Sequence, residues 1–249
     1  MRVHDRRAFL STAMDEGFSH FDTAPIYGDG FAENSLGRFL AGGLRQRVTL
    51  ASKFGLPVNR LFEQLPSLMY AYRGLESFRR RLGWSVRGHR VRDLSPISAE
   101  ASLARSLRAL RTDWLDILLV HEPVREDVSA LLRLSDWLMQ QKRSGRVRYL
   151  GLAGSATACV AVTRAMPGIF DILQVEDSLA GREADVLLKS GLPLQITYGY
   201  LRLHIAEHAN SAVDALTIFQ EAMQRNRCGS LLVSTRKPQR LRDLACLAR

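Results

Sequence analysis

Cysteine is scarce in this sequence. Its three cysteines, Cys159, Cys228 and Cys246, lie far apart in 249 residues and form no CxxC pair. That spacing excludes a small disulfide-stapled fold and a site built on paired cysteines. We therefore expect reduced, structural cysteines in a cytoplasmic protein, and we predict no metal site.

Long apolar runs are also lacking. No run approaches the roughly 18 residues that a membrane-spanning helix needs, so we predict no membrane partner. The first 17 residues, "MRVHDRRAFLSTAMDEG", mix acids and bases in an amphipathic helical pattern. They have neither the apolar centre nor the small-residue cleavage site of a secretory signal, so we predict none.

Lysine is rare although the formal net charge is +10. Of the 35 basic residues only four are lysines, at positions 53, 142, 189 and 237, which leaves 35 − 4 = 31 arginines. A skew this strong is typical of a GC-rich coding sequence, so we do not predict a nucleic-acid partner. Each lysine is then informative, because arginine cannot serve where an amine of tunable pKa is needed.

Short apolar runs alternate with longer helical patterns, which indicates βα units around a parallel sheet. The predicted strands are 18–22, 48–53, 115–121, 148–153, 171–175, 192–198 and 230–234. The predicted helices, after the N-terminal one, are 30–41, 98–111, 127–143, 156–166, 181–190, 205–226 and 238–247. In the helix at 98–111, Ser98 is the predicted cap, and Leu103, Leu107 and Leu110 form the buried stripe.

No Gly/Ser linker or change of composition divides the chain, so we expect a single domain over residues 1–249. The stretch 54–97 is too long for an ordinary βα loop. Its second half is rich in arginine and contains Trp84. It can be a solvated surface excursion, a flap over a ligand site or, with a single aromatic among the arginines, a nucleic-acid patch.

Polar side chains end the first three predicted strands: Asp22, Lys53 and His121. Tyr27 follows five residues after the first of them. Because the carboxyl ends of parallel strands open on one face of a barrel, we expect these four side chains to lie together. Taken singly, each has an ordinary explanation: Asp22 can cap a helix, Lys53 can lie on the surface, and His121 can simply end a strand.

Together the four groups fit proton transfer to a carbonyl oxygen. A tyrosine phenol has a pKa near 10. A neighbouring ammonium lowers that pKa, and a carboxylate keeps the ammonium charged and oriented. A neutral histidine can hydrogen-bond a substrate carbonyl. A hydride must come from a nicotinamide cofactor, because no side chain supplies one.

Five segments of the sequence resemble the aldo-keto reductase family. They are "GFSHFDTAPIYGDGFAENSLGRFL", "TLASKFG", "SLARSLRALRTDWLDILLVHEP", "GRVRYLGLAGSA" and "SLLVSTRKPQRL". The resemblance implies an α/β fold, the (β/α)8 TIM barrel. It also implies a catalytic tetrad of Asp22, Tyr27, Lys53 and His121, with Tyr27 as proton donor.

The same resemblance implies an NADPH site. Gln174 would contact the nicotinamide carboxamide, and Tyr198 would stack under the ring. Ser234, Thr235, Arg236, Gln239 and Arg240 would hold the adenosine phosphates. Pro238 begins a helix whose free N–H groups attract anions, although an ordinary basic helix start would look the same. Arg236 and Arg240 could grip a 2′-phosphate, which favours NADPH over NADH.

The sequence departs from the family pattern in two places. Ala153 and Gly154 stand where the family places Ser-Asn at the end of the fifth strand. The family's first strand, with its Gly-rich stretch, is also missing, which leaves seven predicted strands where closure needs eight. Either the chain start is set too far downstream, which we favour, or the chain has lost a strand that its activity could require.

We therefore predict an NADPH-dependent reductase that converts an aldehyde or ketone to an alcohol. Its partner would be a small carbonyl substrate. The alternative is a catalytically inactive barrel that binds nucleotide or a protein partner.

Overall fold

The computed structural model describes residues 3–28, 30–57, 92–202 and 214–248. Its seven strands are β1 (His20–Asp22), β2 (Thr49–Phe54), β3 (Leu115–His121), β4 (Val147–Gly154), β5 (Ile172–Glu176), β6 (Ile196–Tyr198) and β7 (Ser230–Leu231). Its α-helices are α1 (Val3–Asp15), α2 (Phe31–Leu40), α3 (Pro96–Leu110), α4 (Val128–Arg143), α5 (Ala156–Ala165), α6 (Asp185–Lys189), α7 (Ala215–Arg225) and α8 (Pro238–Leu247). Short 3₁₀ helices span Arg45–Arg47 and Arg125–Asp127.

All seven strands form one parallel sheet in chain order, from β1 to β7. Helices connect successive strands, so the predicted alternation of strands and helices is confirmed. The order of the seven strands in the described residues is that of a (β/α)8 barrel, with one strand fewer than closure needs, as predicted. Within the described residues, β1 pairs only with β2, and β7 pairs only with β6.

The sheet has two differently filled faces because side chains alternate along each strand. The helix-facing side carries the larger apolar core, with residues such as Leu50, Leu118 and Leu150 fully or almost fully buried. The inner side holds a smaller cluster that includes Ala51, Leu119 and Ala153. Near the carboxyl ends of β2, β3 and β5 this side carries the buried polar residues Lys53, His121 and Gln174, and these place the candidate site.

Three predicted strands are shorter in the structure, and the first of them, β1, begins at His20 rather than at 18. The β6 strand begins at Ile196 rather than at 192, and β7 ends at Leu231 rather than at 234. Before β6, the Gln195 side chain takes the place of strand pairing: its amide accepts from Leu173 N (2.8 Å) and donates to Asp171 O (2.8 Å). Sequence periodicity cannot distinguish such a side-chain substitute from a backbone ladder.

The helix boundaries differ in smaller ways. The N-cap of α3 is Ser95, whose hydroxyl accepts from Ser98 N (3.3 Å), so Ser98 is the bonded donor and the prediction that it caps was wrong. The α6 helix is half the predicted 181–190. Most of the excursion at 54–97 and the first part of the helix predicted at 205–226 lie outside the described residues.

Two further observations bear on the sequence predictions. Cys159 is buried, whereas Cys228 and Cys246 are exposed, so a structural role in the core fits only the first. In the part of the chain that the structure describes, every helix is too short or too polar to cross a membrane.

Candidate active site

Asp22 and Lys53 form a buried ion pair at the carboxyl ends of β1 and β2. Lys53 Nζ lies 2.7 Å from Asp22 Oδ1 and 2.6 Å from Oδ2, and it also donates to Thr23 O at 3.0 Å. Asp22 is in register with Ala51, so Lys53, two residues further along β2, points to the same inner face. The lysine is only 2% exposed, which rules out an ordinary surface position.

Tyr27 stands beside this pair. A compact turn holds its backbone, with Tyr27 N bonded to Ala24 O (2.9 Å) and Gly30 N to Pro25 O (2.8 Å). Gly28 and Gly30 adopt positive φ angles of 64° and 89°, which favour glycine over residues with a side chain. The turn leaves Lys53 Nζ 4.7 Å from the centre of the Tyr27 ring.

His121 completes the group of four. It ends β3, is 6% exposed, and its ring centre lies 5.8 Å from that of Tyr27 in an edge-to-face arrangement. The structure therefore brings Asp22, Tyr27, Lys53 and His121 together, although they come from separate parts of the sequence.

The electrostatics of Tyr27 differ from the sequence prediction. Burial raises the pKa of the phenol above its usual value, and the nearby Lys53 ammonium offsets this rise only in part. The predicted lowering by the ammonium is therefore present, but burial outweighs it. The physical reason is that partial removal from water disfavours the phenolate more than one ammonium favours it. The phenol is protonated at neutral pH, which is the form that a proton donor needs.

Gln174 and Tyr198 lie on the adjoining strands β5 and β6. Gln174 is 2% exposed, and its Oε1 atom is buried without a hydrogen-bond partner among the described residues. Burial raises the pKa of Tyr198, and Cys159, Tyr27, Glu122 and Asp22 add to the rise. An unpaired buried amide oxygen is costly unless a ligand supplies a donor.

Ala153 and Gly154 lie close to the corner that follows His121. Glu122 has a left-handed φ of 49°, and its N–H bonds to Ala153 O. A Cβ added to Gly154 would stand 3.1 Å from Glu122 Cα and 3.2 Å from Pro123 Cδ. A side chain at position 154 would thus need this corner to shift, which gives the departure from Ser-Asn a packing reason.

The residues predicted to hold the adenosine phosphates follow β7. Ser234 and Arg236 are exposed, while Thr235 and Arg240 are half-buried. Thr235 Oγ1 accepts from Lys237 N (3.1 Å), and α8 starts at Pro238 with no side-chain cap on its free N–H groups. Gln239 instead bonds within the helix, donating to Asp243 Oδ1 at 2.8 Å. Its predicted phosphate contact would require this bond to be exchanged.

Sequence reasoning missed two features of the site. The Thr23 carbonyl is the third acceptor for Lys53, and a main-chain group leaves no mark in a sequence. Asp177, directly after β5, pairs with Arg225, which lies 48 residues further along the chain. The two acidic residues in "VEDS" can be seen in the sequence, but the sequence does not show that Arg225 pairs with one of them.

The residues present fit a nicotinamide cofactor. The unpaired Gln174 oxygen is an acceptor suited to a carboxamide N–H, and its neighbour on β4, on the same inner face, is the small Ala153. The uncapped start of α8 supplies N–H groups suited to a phosphate.

Comparison with known proteins identifies the family of this chain. The model of the Aldo/keto reductase family matches residues 2–186. A D-threo-aldose 1-dehydrogenase of a Pseudomonas species is 29% identical over 163 residues, which are 64% of this chain and 46% of that protein. The matched stretch spans about half the length of the curated relatives.

Solved structures show the same fold. A chain from Pseudomonas aeruginosa assigned to the aldo-keto reductases superposes with a TM-score of 0.70 at 21% identity, covering 100% of this chain and 83% of that one. An aldo-keto reductase from Klebsiella pneumoniae in complex with NADPH gives a TM-score of 0.64 at 18% identity, covering 98% and 79%. Since the family model matches well over half of its residues, this chain belongs to the aldo/keto reductase family.

Proposed function

We propose that the protein is an NADPH-dependent oxidoreductase that reduces a small aldehyde or ketone to an alcohol. The observation that carries this proposal is the arrangement of Tyr27 between the Asp22–Lys53 pair and His121. A protonated phenol flanked by a buried ammonium and an imidazole is suited to donate a proton to a carbonyl oxygen. The cofactor supplies the hydride that no side chain can provide.

Each residue of the tetrad has a distinct role in this proposal. Tyr27 donates its phenolic proton to the substrate oxygen as negative charge develops there. Lys53, held by both Asp22 oxygens, stabilises the phenolate that remains. His121, at the end of β3, binds the carbonyl oxygen and orients it towards the Tyr27 hydroxyl.

The cofactor-binding residues divide between two ends of the site. Gln174 would accept a hydrogen bond from the nicotinamide carboxamide, and Tyr198 would pack against the ring. At the other end, Ser234, Thr235, Arg236 and Arg240, with the first turn of α8, would hold the phosphates. Gln239 would join them after releasing Asp243.

The catalytically inactive barrel remains a second candidate. The observation in its favour is that Asp22 lies on β1, a strand with one neighbour in the described part of the sheet. Each strand of a closed barrel has two neighbours, so the position of Asp22 is held from one side only.

Substitution of Tyr27 by phenylalanine separates the two candidates. The change removes the proton donor but no group proposed to hold the cofactor. We expect carbonyl reduction to be lost, with NADPH affinity by calorimetry within a few-fold of wild type. Asn34→Ala, at an exposed position of α2, is the control and should retain activity. A wild-type protein that binds NADPH but reduces no aldehyde in a broad panel would favour the inactive barrel, and near-full turnover by Tyr27→Phe would refute the role of the phenol.

A further inference from the structure

Asp177 is a fully buried carboxylate directly after β5, with 0% of its surface exposed. Four hydrogen bonds reach its two oxygens. Oδ2 accepts from the Tyr200 hydroxyl at 2.7 Å and from Arg225 Nε at 2.6 Å. Oδ1 accepts from Ala184 N at 3.0 Å and from Arg225 Nη2 at 3.1 Å. Arg225 therefore balances the negative charge of Asp177, and each carboxylate oxygen accepts two hydrogen bonds.

The main chain of Asp177 makes a different connection. Its N–H donates to Tyr198 O at 2.8 Å, which extends the β5–β6 ladder by one bond beyond the pairing of Glu176 with Tyr198. Gln174 lies three residues earlier on β5. Asp177 therefore links the ends of the two strands that carry Gln174 and Tyr198.

The hydrogen bonds of the Asp177 side chain hold this connection in place through two residues that lie outside the strands. Arg225 is the last residue of α7, and Tyr200 lies two residues after Tyr198. The carboxylate thus ties the end of β5 to the chain that leaves β6, through Tyr200, and to the last residue of α7. A buried ion pair of this kind adds little net stability compared with an apolar replacement, but it can specify one geometry.

We propose that Asp177 is a positioning residue that sets the spacing between Gln174 and Tyr198, the two side chains that would hold the nicotinamide. This inference rests on the proposed function. It concerns the nicotinamide end alone, because the phosphate-binding residues follow β7 and make none of the contacts of Asp177 described above.

Asp177→Asn tests the proposal, with Asp185→Asn as its matched control. Asparagine keeps one oxygen acceptor but removes the charge that Arg225 contacts through two nitrogens. Asp185 also accepts from Arg225, at 2.7 Å, yet it lies on α6 and has no bond to Tyr198. Calorimetry with two probes separates the ends of the site: NADP⁺ contains the nicotinamide, whereas 2′,5′-ADP contains only the adenosine phosphates.

We expect Asp177→Asn to weaken NADP⁺ binding about tenfold, the equivalent of about 1.4 kcal/mol, with 2′,5′-ADP affinity within about twofold. Asp185→Asn should leave both affinities unchanged. Hydrogen exchange of the nucleotide-free protein should show faster exchange at the Asp177 amide in the first variant only. If Asp177→Asn does not fold, Tyr200→Phe removes one bond to the same carboxylate and should shift NADP⁺ affinity alone, by a smaller factor.

Equal losses for NADP⁺ and 2′,5′-ADP, or no loss for either, would overturn the positioning role while leaving the proposed function intact. A wild-type protein that binds neither probe would instead refute the proposed function, and the inference with it.

Discussion

Arg236 and Arg240 are the residues on which cofactor choice would depend. Both lie beside the start of α8, where uncapped N–H groups and two guanidinium groups favour a phosphate. Arg236 is exposed and Arg240 half-buried, so both can reach a ligand without exposing a core group.

Replacing both arginines by alanine should weaken NADPH binding by about 1.5–3 kcal/mol, the usual loss for hydrogen bonds to charged groups. NADH lacks the 2′-phosphate, so its affinity should barely change. The measurement is calorimetric titration of both cofactors, with Arg227→Ala, an exposed arginine outside α8, as control. Equal losses for NADPH and NADH would show that the arginines only shape the start of the helix.

The pKa of Tyr27 predicts how activity depends on pH. Burial holds this pKa above its usual value, so the phenol stays protonated through neutral pH and loses its proton only above about pH 10. Reduction uses the protonated form and should stay level up to that region, then fall. Alcohol oxidation uses the phenolate and should rise over the same range. Profiles of kcat in both directions would check this, and a reduction rate that falls with a midpoint near pH 7 would contradict it.

At the scale of elements, the contact between α2 and α3 depends on one glycine. Gly37 is buried in the middle of α2, and an added Cβ would overlap the Ala109 carbonyl oxygen and lie 2.7 Å from Leu110 Cα. This is backbone of α3, which cannot rotate away as a side chain could. The turn that holds Tyr27 comes directly before α2, so the position of α2 affects the position of Tyr27.

Gly37→Ala should lower the free energy of unfolding by about 1–3 kcal/mol through overpacking. Helix propensity alone predicts the opposite, a gain of about 1 kcal/mol. Asn34→Ala, at an exposed position of the same helix, is the control and should be neutral or slightly stabilising. Urea denaturation of the wild type and the two variants measures these free energies. A stabilised Gly37→Ala would contradict the prediction, because it would mean that α3 moves aside at little cost.

At the scale of the whole molecule, stability should fall from the middle of the sheet to its edges. The β3 strand is buried at all seven positions and bonded on both sides, whereas β1 and β7 each have one neighbour among the described strands. We expect amide exchange to be slowest in 115–121 and 147–154 and fastest in 20–22 and 230–231. Mass-spectrometric exchange would measure it. Equal protection at the edges and the centre would show that something else covers β1 and β7.

The sequence alone determined most of the architecture. The run "LDILLVH" predicted β3 with both of its ends, because a continuous apolar strand followed by a polar residue is a purely local pattern. Pro238 likewise marked the start of α8, since its fixed φ suits the first turn of a helix. Asp22, Lys53 and His121 were predicted to meet because parallel strands end on one face, and that rule needs only the order of the strands.

Only the tertiary structure decided how these groups behave. The pKa of Tyr27 depends on how much water the fold removes from the phenol, which no local pattern encodes. The start of β6 depends on a side chain that replaces backbone pairing with its neighbour. Asp177 and Arg225 meet across 48 residues. Strands and helices follow from the periodicity of neighbouring residues, but burial and pairing follow from which distant residues the packed sheet brings together.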